Sequence, residues 1–202
     1  LGKFIGPGLR VEDLSSSTAK PISPPAKVIS TFFLPSSRWV EYGAWLKKLD
    51  SETLFDYFGL ITQDAVIDVQ IDKMIQAIEQ HHVLIAVKNG QWVGTTHIAT
   101  NFPDVEFGLI VIKENRQQGI ASLMLDECLN FARNRRFKFL YMHCIQKNVA
   151  IQQLCNKYNL IPRNVMGDSE VKFKLDPPNF QSYLKELRFR QWRIFQPMLL
   201  NV

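Results

Sequence analysis

The chain has 202 residues, 46% of them apolar and 21% charged, a balance that excludes a disordered or fibrous protein. That length suits one domain with appendages, large enough to build a core without disulfide or metal staples. With 24 Lys and Arg against 19 Asp and Glu the formal charge is +5, too small an excess for a polybasic nucleic-acid stripe, and no run approaches the ~20 apolar residues of a membrane-spanning helix.

Residues 1–31 read as an extended leader, its second half (SSSTAKPISPPAKVIST) rich in Ser and Pro and without periodicity. The opening residues hold no apolar run of the secretion-signal kind, so no such signal is expected. Folding is expected to begin at Phe32, with residues 32–176 as the domain. Ser36 or Ser37 can cap a helix with Trp39, Tyr42, Leu46 and Leu49 on one face. A second short helix follows Asp50-Ser51-Glu52 and ends at Gly59. Ile71, Met74, Ile75 and Ile78 recur at helical spacing and mark a third amphipathic segment. Residues 83–87 form an apolar run that stops at Asn89-Gly90, a hairpin turn signal, and residues 92–100 make its partner strand.

Residues 105–112 are almost continuously apolar, as in a central strand covered on both faces. Ala121, Met124, Leu125, Cys128, Leu129 and Ala132 then form a helical stripe, residues 139–145 another strand, and Ile151, Leu154, Cys155 and Tyr158 another helical stripe. Val171, Phe173 and Leu175 alternate with polar residues in a last strand with one wet face. The order predicts a mixed α/β layer fold around a single sheet. The tail, 177–202, opens on Pro177-Pro178 and sets Phe180, Tyr183, Leu184 and Leu187 at helical spacing. With Trp192 and Phe195 it carries too much apolar surface to stay free, so it is expected to pack on the domain or at a homodimer contact.

The stretch VEFGLIVIKENRQQGIAS, residues 105–122, carries the chemistry. A buried strand gives way to a polar turn, and Gly119 stands where the next helix begins. A loop running into a helix exposes backbone N–H groups, and the helix dipole adds positive potential, which together suit phosphate. Gly119 without a Cβ and the small Ala121 let a pyrophosphate come close; a Gly at such a junction also serves turn geometry alone. Neither GxGxxG nor GxxxxGK[ST] is present, which disfavours a dinucleotide-binding Rossmann unit and a P-loop. Three cysteines (Cys128, Cys144 and Cys155) form no CxxC pair, and the histidines lack zinc-ligand spacing. No metal and no disulfide framework are therefore expected, and the compartment reads as reducing and cytoplasmic.

Arg116-Gln117-Gln118-Gly119-Ile120-Ala121 matches the R/Q-x-x-G-x-G/A signature, and here the chain resembles the GNAT superfamily of acyl-CoA-dependent N-acyltransferases. Asn148-Val149-Ala150-Ile151-Gln152-Gln153-Leu154-Cys155 resembles that family's second cofactor segment, N-x-x-A-x-x-L-Y, with Cys155 in place of Tyr and Asn159-Leu160 in place of the usual Gly-Phe. The resemblance covers about residues 32–176. It implies a central, mostly antiparallel sheet with two splayed parallel strands, flanked by helices. It implies that backbone groups of Leu109, Ile110 and Val111 pair with the pantetheine arm of acetyl-CoA. The loop from Arg116 through Gln117, Gln118, Gly119, Ile120, Ala121 and Ser122 would cradle the pyrophosphate, and Asn148 would contact the cofactor beside the splay. The activity it implies is transfer of an acetyl or other short acyl group to a primary amine by direct attack in a ternary complex.

The same resemblance implies Glu106 as catalytic base, at the start of the covered strand, where a carboxylate also serves local backbone; Asp104 is a weaker substitute. Cys155 replaces the Tyr that protonates the leaving thiolate, yet it also completes an apolar stripe as a buried thiol. Tyr158 and Tyr141 are alternative acids, and His97 and His143 lie on predicted strands and titrate near neutrality. Trp39, Trp45, Phe55 and Phe58 read as core or pocket wall. Arg38, Leu49-Asp50-Ser51-Glu52 and Phe58-Gly59 faintly resemble the leading helices of protein-lysine acetyltransferases, which carry Arg where Tyr57 stands. The absent Tyr keeps a second reading open, a non-catalytic acyl-CoA-binding sensor or interaction module. Charge adds a last clue. Residues 105–160 hold eight basic and four acidic groups and suit a polyanion, whereas residues 32–104 hold five and nine. That acidic part is expected to border the acceptor pocket and favour a cationic amine, on a small molecule or a protein, with no nucleic-acid or membrane partner.

Overall fold

The computed structural model describes residues 29–145, 153–154, 156–158, 162–165 and 168–187. Its first strand, β1 (Ile29–Leu34), starts inside the segment read as leader. Ser and Thr at its beginning hide the alternation there, but Thr31 and Leu34 are buried and the strand pairs antiparallel along β2 (His81–Lys88).

The chain then enters α1 (Trp39–Leu46) through a 3-10 turn, Ser36–Arg38. Neither serine caps the helix, because the turn's backbone closes on Pro35 instead. Trp39, Tyr42 and Leu46 are buried along one face, as the spacing predicts. In α2 (Ser51–Phe58), Asp50 accepts a hydrogen bond from the Thr53 N–H at 3.0 Å, and Gly59 closes the helix at φ 74°. In α3 (Asp64–Gln76) the buried stripe is Ile67, Ile71 and Met74, a turn earlier than expected. Ile75 and Ile78 stay 44% exposed, the latter because the helix ends before it and a 3-10 turn takes over.

β2 and β3 (Gln91–Asn101) form the predicted hairpin, with Asn89 at φ 52° and Gly90 at φ 76° in the pair of left-handed positions a tight turn needs. Next come β4 (Asp104–Val111), the long helix α4 (Ile120–Asn134), β5 (Phe139–Ile145), β6 (Pro162–Val165) and β7 (Asp168–Lys174). The sequence gives no signal for β6, which is four residues long and half polar. One seven-stranded sheet results, in the order β1-β2-β3-β4-β5-β7-β6. Every neighbouring pair is antiparallel except β4 and β5, which α4 connects as a parallel crossover. That parallel pairing involves only Asp104, Val105 and Glu106 with Phe139, Leu140 and Tyr141; past Glu106 the two strands part.

Alternation along the strands divides the core in two. Val83, Ile85 and Ile110 pack on one face against Trp39, Tyr42, Leu46, Ile67, Ile71 and Met74 of the leading helices. Leu84, Ala86, Ile98, Val105, Phe107 and Leu140 pack on the other against Ile120, Met124, Leu125, Cys128 and Phe131 of α4, so the sheet is the middle of three layers. The C-terminal helical residues, 180–187, dock on the end of α4 through their polar side. The Ser182 hydroxyl donates to Asn134, the Asn134 amide donates to Glu186, and Arg135 pairs with Glu186 at 3.2 Å. Phe180, Tyr183, Leu184 and Leu187 remain 40–76% exposed, so the apolar side expected to dock faces outward among the described residues. Trp192 and Phe195 lie outside them. No described helix is long and apolar enough to cross a membrane.

Candidate active site

The turn after β4 has the geometry of an anion cradle. A 3-10 turn (Lys113–Asn115) leads to Gln117 at φ 62° and Gly119 at φ 79°, and α4 starts at Ile120 with no side chain capping it and no acidic residue in its first turn. The first N–H groups of that helix therefore stand without an intrahelical acceptor, at the positive end of its dipole. A Cβ built on Gly119 meets no atom within 4 Å, so the space in front of the loop is open. These residues fit a pyrophosphate.

The loop's side chains have other work. The Arg116 Nε donates to the Val111 carbonyl at 3.1 Å, and its terminal nitrogen donates to the Thr53 hydroxyl at 3.2 Å and lies 3.8 Å from Asp56. The signature arginine thus fastens the loop to β4 and α2. Gln118 donates to the Glu114 carbonyl and accepts from Lys88, which turns it away from the cavity. The Ser122 hydroxyl accepts from Lys157 at 3.0 Å, bringing a cation to the cradle.

In front of the loop lies a cavity of about 590 Å³, inside the usual range for a small-molecule site. Gln117, Gly119, Ile120, Ala121 and Ser122 line one end. Phe107, Gly108, Leu109, Ile110 and Val111 form one wall, and Met142 and Leu154 stand across the splay. Glu106, Gln70, His81 and His97 line the wall beyond. The strand register explains this grouping. His81 on β2, Ala99 on β3, Glu106 on β4 and Tyr141 on β5 are cross-strand partners in one row on one face of the sheet.

The electrostatics are uneven. His97 Nε2 lies 3.1 Å from His81 Nδ1, with the rings stacked at 5.1 Å. Burial, reinforced by His81 and His82, pushes His97 down to about 4, and burial lowers His81, so both imidazoles rest neutral. Tyr57 packs directly over Gly108, where an added Cβ would meet its ring at 2.7 Å. Burial pushes Tyr42 up to about 12, and burial together with Tyr42 and the Glu106 charge raises Tyr57 well above its ordinary value. Both phenols stay protonated. Of the acidic groups in residues 32–104, Asp50 and Glu52 pair with Lys113, Glu41 with Arg38, and Asp68 with Lys47. Only Asp56 and Glu106 among all described carboxylates line the cavity, so the acidic border expected there reduces to two groups.

Other candidates fall elsewhere. Asp104 does not line the cavity, and neither does Tyr141. The Tyr158 hydroxyl donates to Asp126 at 2.8 Å, and burial, with Asp126 adding, pushes it upward, which makes it a poor proton donor to the site. Trp39 is core, Trp45 packs on Trp92, Phe58 lines the cavity and Phe55 is 43% exposed. Asn148, Cys155, Asn159 and Leu160, with the side chains of His143 and Cys144, lie outside the described residues. Among the described residues no group of three or more His, Cys, Asp or Glu is placed to hold a metal ion. The sequence carries no signal for a site role of Tyr57, Gln70, His81 or Lys157, and the bulged register that sets His81 opposite Ala99 is seen only in the fold.

The family model described as Acetyltransferase (GNAT) family matches residues 46–159. No curated protein sequence matches the chain significantly. Solved structures share the fold. A ribosomal-protein-alanine N-acetyltransferase from Brucella melitensis is 16% identical, covering 72% of this chain and 99% of its own, with a TM-score of 0.56. YncA from Salmonella typhimurium, solved with its cofactor acetyl-CoA, is 13% identical over 73% of this chain and 94% of its own, at a TM-score of 0.54. PaiA N-acetyltransferase from Thermoplasma acidophilum, in complex with coenzyme A, is 12% identical over 73% and 99%, at 0.56.

Proposed function

The chain belongs to the acetyltransferase (GNAT) family, and we propose that it transfers an acetyl or other short acyl group from acyl-CoA to a primary amine by direct attack in a ternary complex. The observation that carries this reading is one cavity joining the anion cradle at Gly119 to Glu106 along the unpaired edge of β4. Acyl-CoA, when bound, supplies an activated thioester carbonyl. The N–H groups around Gly119 to Ser122, with Lys157 beside them, hold its anionic part. Backbone groups of Leu109, Ile110 and Val111 orient its amide-bearing arm as an added strand, a reading supported by the end of the β4–β5 pairing at Glu106. An N–H on that edge also serves to stabilise the developing oxyanion. Glu106 takes the acceptor's proton, directly or through water, and no protein nucleophile is required. Arg116 and Lys157, the cavity's lining cations, belong to the cradle end, so the Glu106 end admits an ammonium group from a small molecule or a protein. An odd number of cysteines with no CxxC pair favours a reducing, cytoplasmic setting.

A thiol-release assay tests the reading with acetyl-CoA and a panel of spermidine, tryptamine, a lysine-bearing peptide and a peptide with a free N-terminus. At least one amine is expected to raise thiol release. Glu106→Gln should lower kcat by about 10²-fold or more while acetyl-CoA affinity holds. Acetyl-CoA binding without turnover of any amine would favour the alternative, a binding module, and overturn the enzyme reading.

A further inference from the structure

We propose that His97 and His81 form a relay that carries the acceptor's proton from Glu106 out of the cavity, an inference that rests on the acyl transfer proposed above. The sheet register carries it. His81 pairs with Ala99, so His97, two residues back on β3, is its diagonal neighbour, and the two rings meet at 3.1 Å. Glu106 also pairs with Ala99, so it is diagonal to His97 in the same sense, displaced toward the same end of the sheet. Diagonal neighbours on one face lie roughly 7–8 Å apart at the backbone, within reach of long and aromatic side chains. A Glu106–His97–His81 path therefore crosses β4, β3 and β2 in two diagonal steps of the same register, the second of them closed by the 3.1 Å contact. All three residues line the cavity, and the small Ala99 leaves room between Glu106 and His81.

Two hydrogen-bonded imidazoles suit this task. A neutral ring has one N–H and one acceptor nitrogen, so a proton taken on one side releases another on the far side. One N–H bond of the ammonium breaks and leaves its electron pair on nitrogen, which bonds the acyl carbon; as the carbon–sulfur bond breaks, the thiolate departs with its own pair and takes the second proton that the acylated nitrogen sheds, leaving a neutral amide and the CoA thiol. The first proton passes to Glu106 and then to His97. His97 gives a proton to His81 across the 3.1 Å contact, and His81, the first residue of β2, gives one to water. Nothing is oxidised or reduced. His81 and His82 from β2 act on His97, Arg135 and Glu79 act in turn on His82, and the Glu106 charge acts on Tyr57 of α2, which packs over Gly108. Neutral resting imidazoles, as burial imposes here, leave the path ready to accept a proton.

The test compares wild type, His97→Gln and His81→Gln with acetyl-CoA and whichever amine of the panel turns over fastest. Glutamine keeps a hydrogen-bonding group but cannot pass a proton through a ring. Each variant is expected to lose about tenfold or more in kcat near pH 7 with acetyl-CoA affinity unchanged. The deficit should shrink toward about pH 9, where more of the amine arrives already deprotonated. Affinity for acetyl-CoA reports whether each variant is folded, and the less buried His81→Gln decides the matter where His97→Gln fails that check. A working wild type whose variants are unaltered, or whose deficit is the same at every pH, overturns the relay alone. A wild type that binds acetyl-CoA and turns over no amine overturns the transfer reading, and the relay with it.

Discussion

Glu127→Gln should make the protein more stable, and increasingly so as pH rises. Glu127 sits on α4 at 6% exposure and accepts a hydrogen bond from the Thr31 hydroxyl of β1. Burial pushes its carboxyl up from 4.5 to about 8, against the Thr31 hydrogen bond and with the Asp126 charge adding. Between those two values the folded protein keeps a proton that the unfolded chain has released. Stability is thus full below the unfolded value and falls as pH rises, by up to about 1.4 kcal/mol per unit. From about pH 5.5 to about pH 7.5 the loss amounts to about 2–3 kcal/mol, or roughly 5–10 °C in Tm for a chain of this size. The amide of the variant still accepts from Thr31 and does not titrate. His81, His82 and His97, all lowered by burial, act in the opposite direction, but equally in both proteins. Thermal melts followed by circular dichroism across that range should therefore show the variant's advantage widening with pH. A gap that stays constant would refute the buried neutral carboxyl.

Two further substitutions probe the site. Gly119→Glu forces a side chain onto φ 79° at a strain of about 1–2 kcal/mol and puts a carboxylate into the open space before the cradle. Calorimetry should show CoA affinity down by about 10²-fold or more beyond the loss in Gly119→Ala, which shares the strain without the charge; equal losses would sink the anion assignment. Gly108→Ala drives a methyl to 2.7 Å from the Tyr57 ring and should cost about 1–3 kcal/mol in chemical denaturation. In a Tyr57→Leu background most of that cost should disappear, and a cost that persists there means the strand itself, not the ring, resists.

Much of this organisation is legible in the sequence, for reasons that differ by element. Asp50 with Thr53 and Gly59 bracket α2 because a cap and a left-handed terminus are local events that one residue type satisfies. Asn89-Gly90 fixes the hairpin in the same way. The hairpin's register is harder. A bulge between Ala86 and Val87 shifts the pairing by one residue, and a one-residue slip moves every later side chain to the opposite face. Counting back from the turn therefore sets His81 opposite Ile98, on the other face from His97, and hides the histidine pair. Arg116 teaches the complementary lesson. Its place in a phosphate-loop signature suggests a contact with the anion, yet its guanidinium is spent on Val111 and Thr53, and only packing reveals that. The acidity of the leading helices likewise suggests a pocket wall, yet Lys113, Lys47 and Arg38 pair with four of their carboxylates away from the cavity.

Three residue pairs, Asp104 to Glu106 against Phe139 to Tyr141, with the Lys138 N–H to Pro103 carbonyl bond just before them, make the strand seam among the described residues between the four strands up to β4 and the three that follow α4. Beyond the seam β4 presents an interior edge, a row of ladder groups in the middle of the sheet with no strand opposite among the described residues. Edges elsewhere in proteins are liabilities that invite another chain. Here the neighbouring walls leave width for something slender whose amides alternate as a peptide's do. On the function proposed above, the protein is in this sense a sheet one strand short that its co-substrate would complete, and the same omission that opens the cavity would give that co-substrate a share in holding the two halves together.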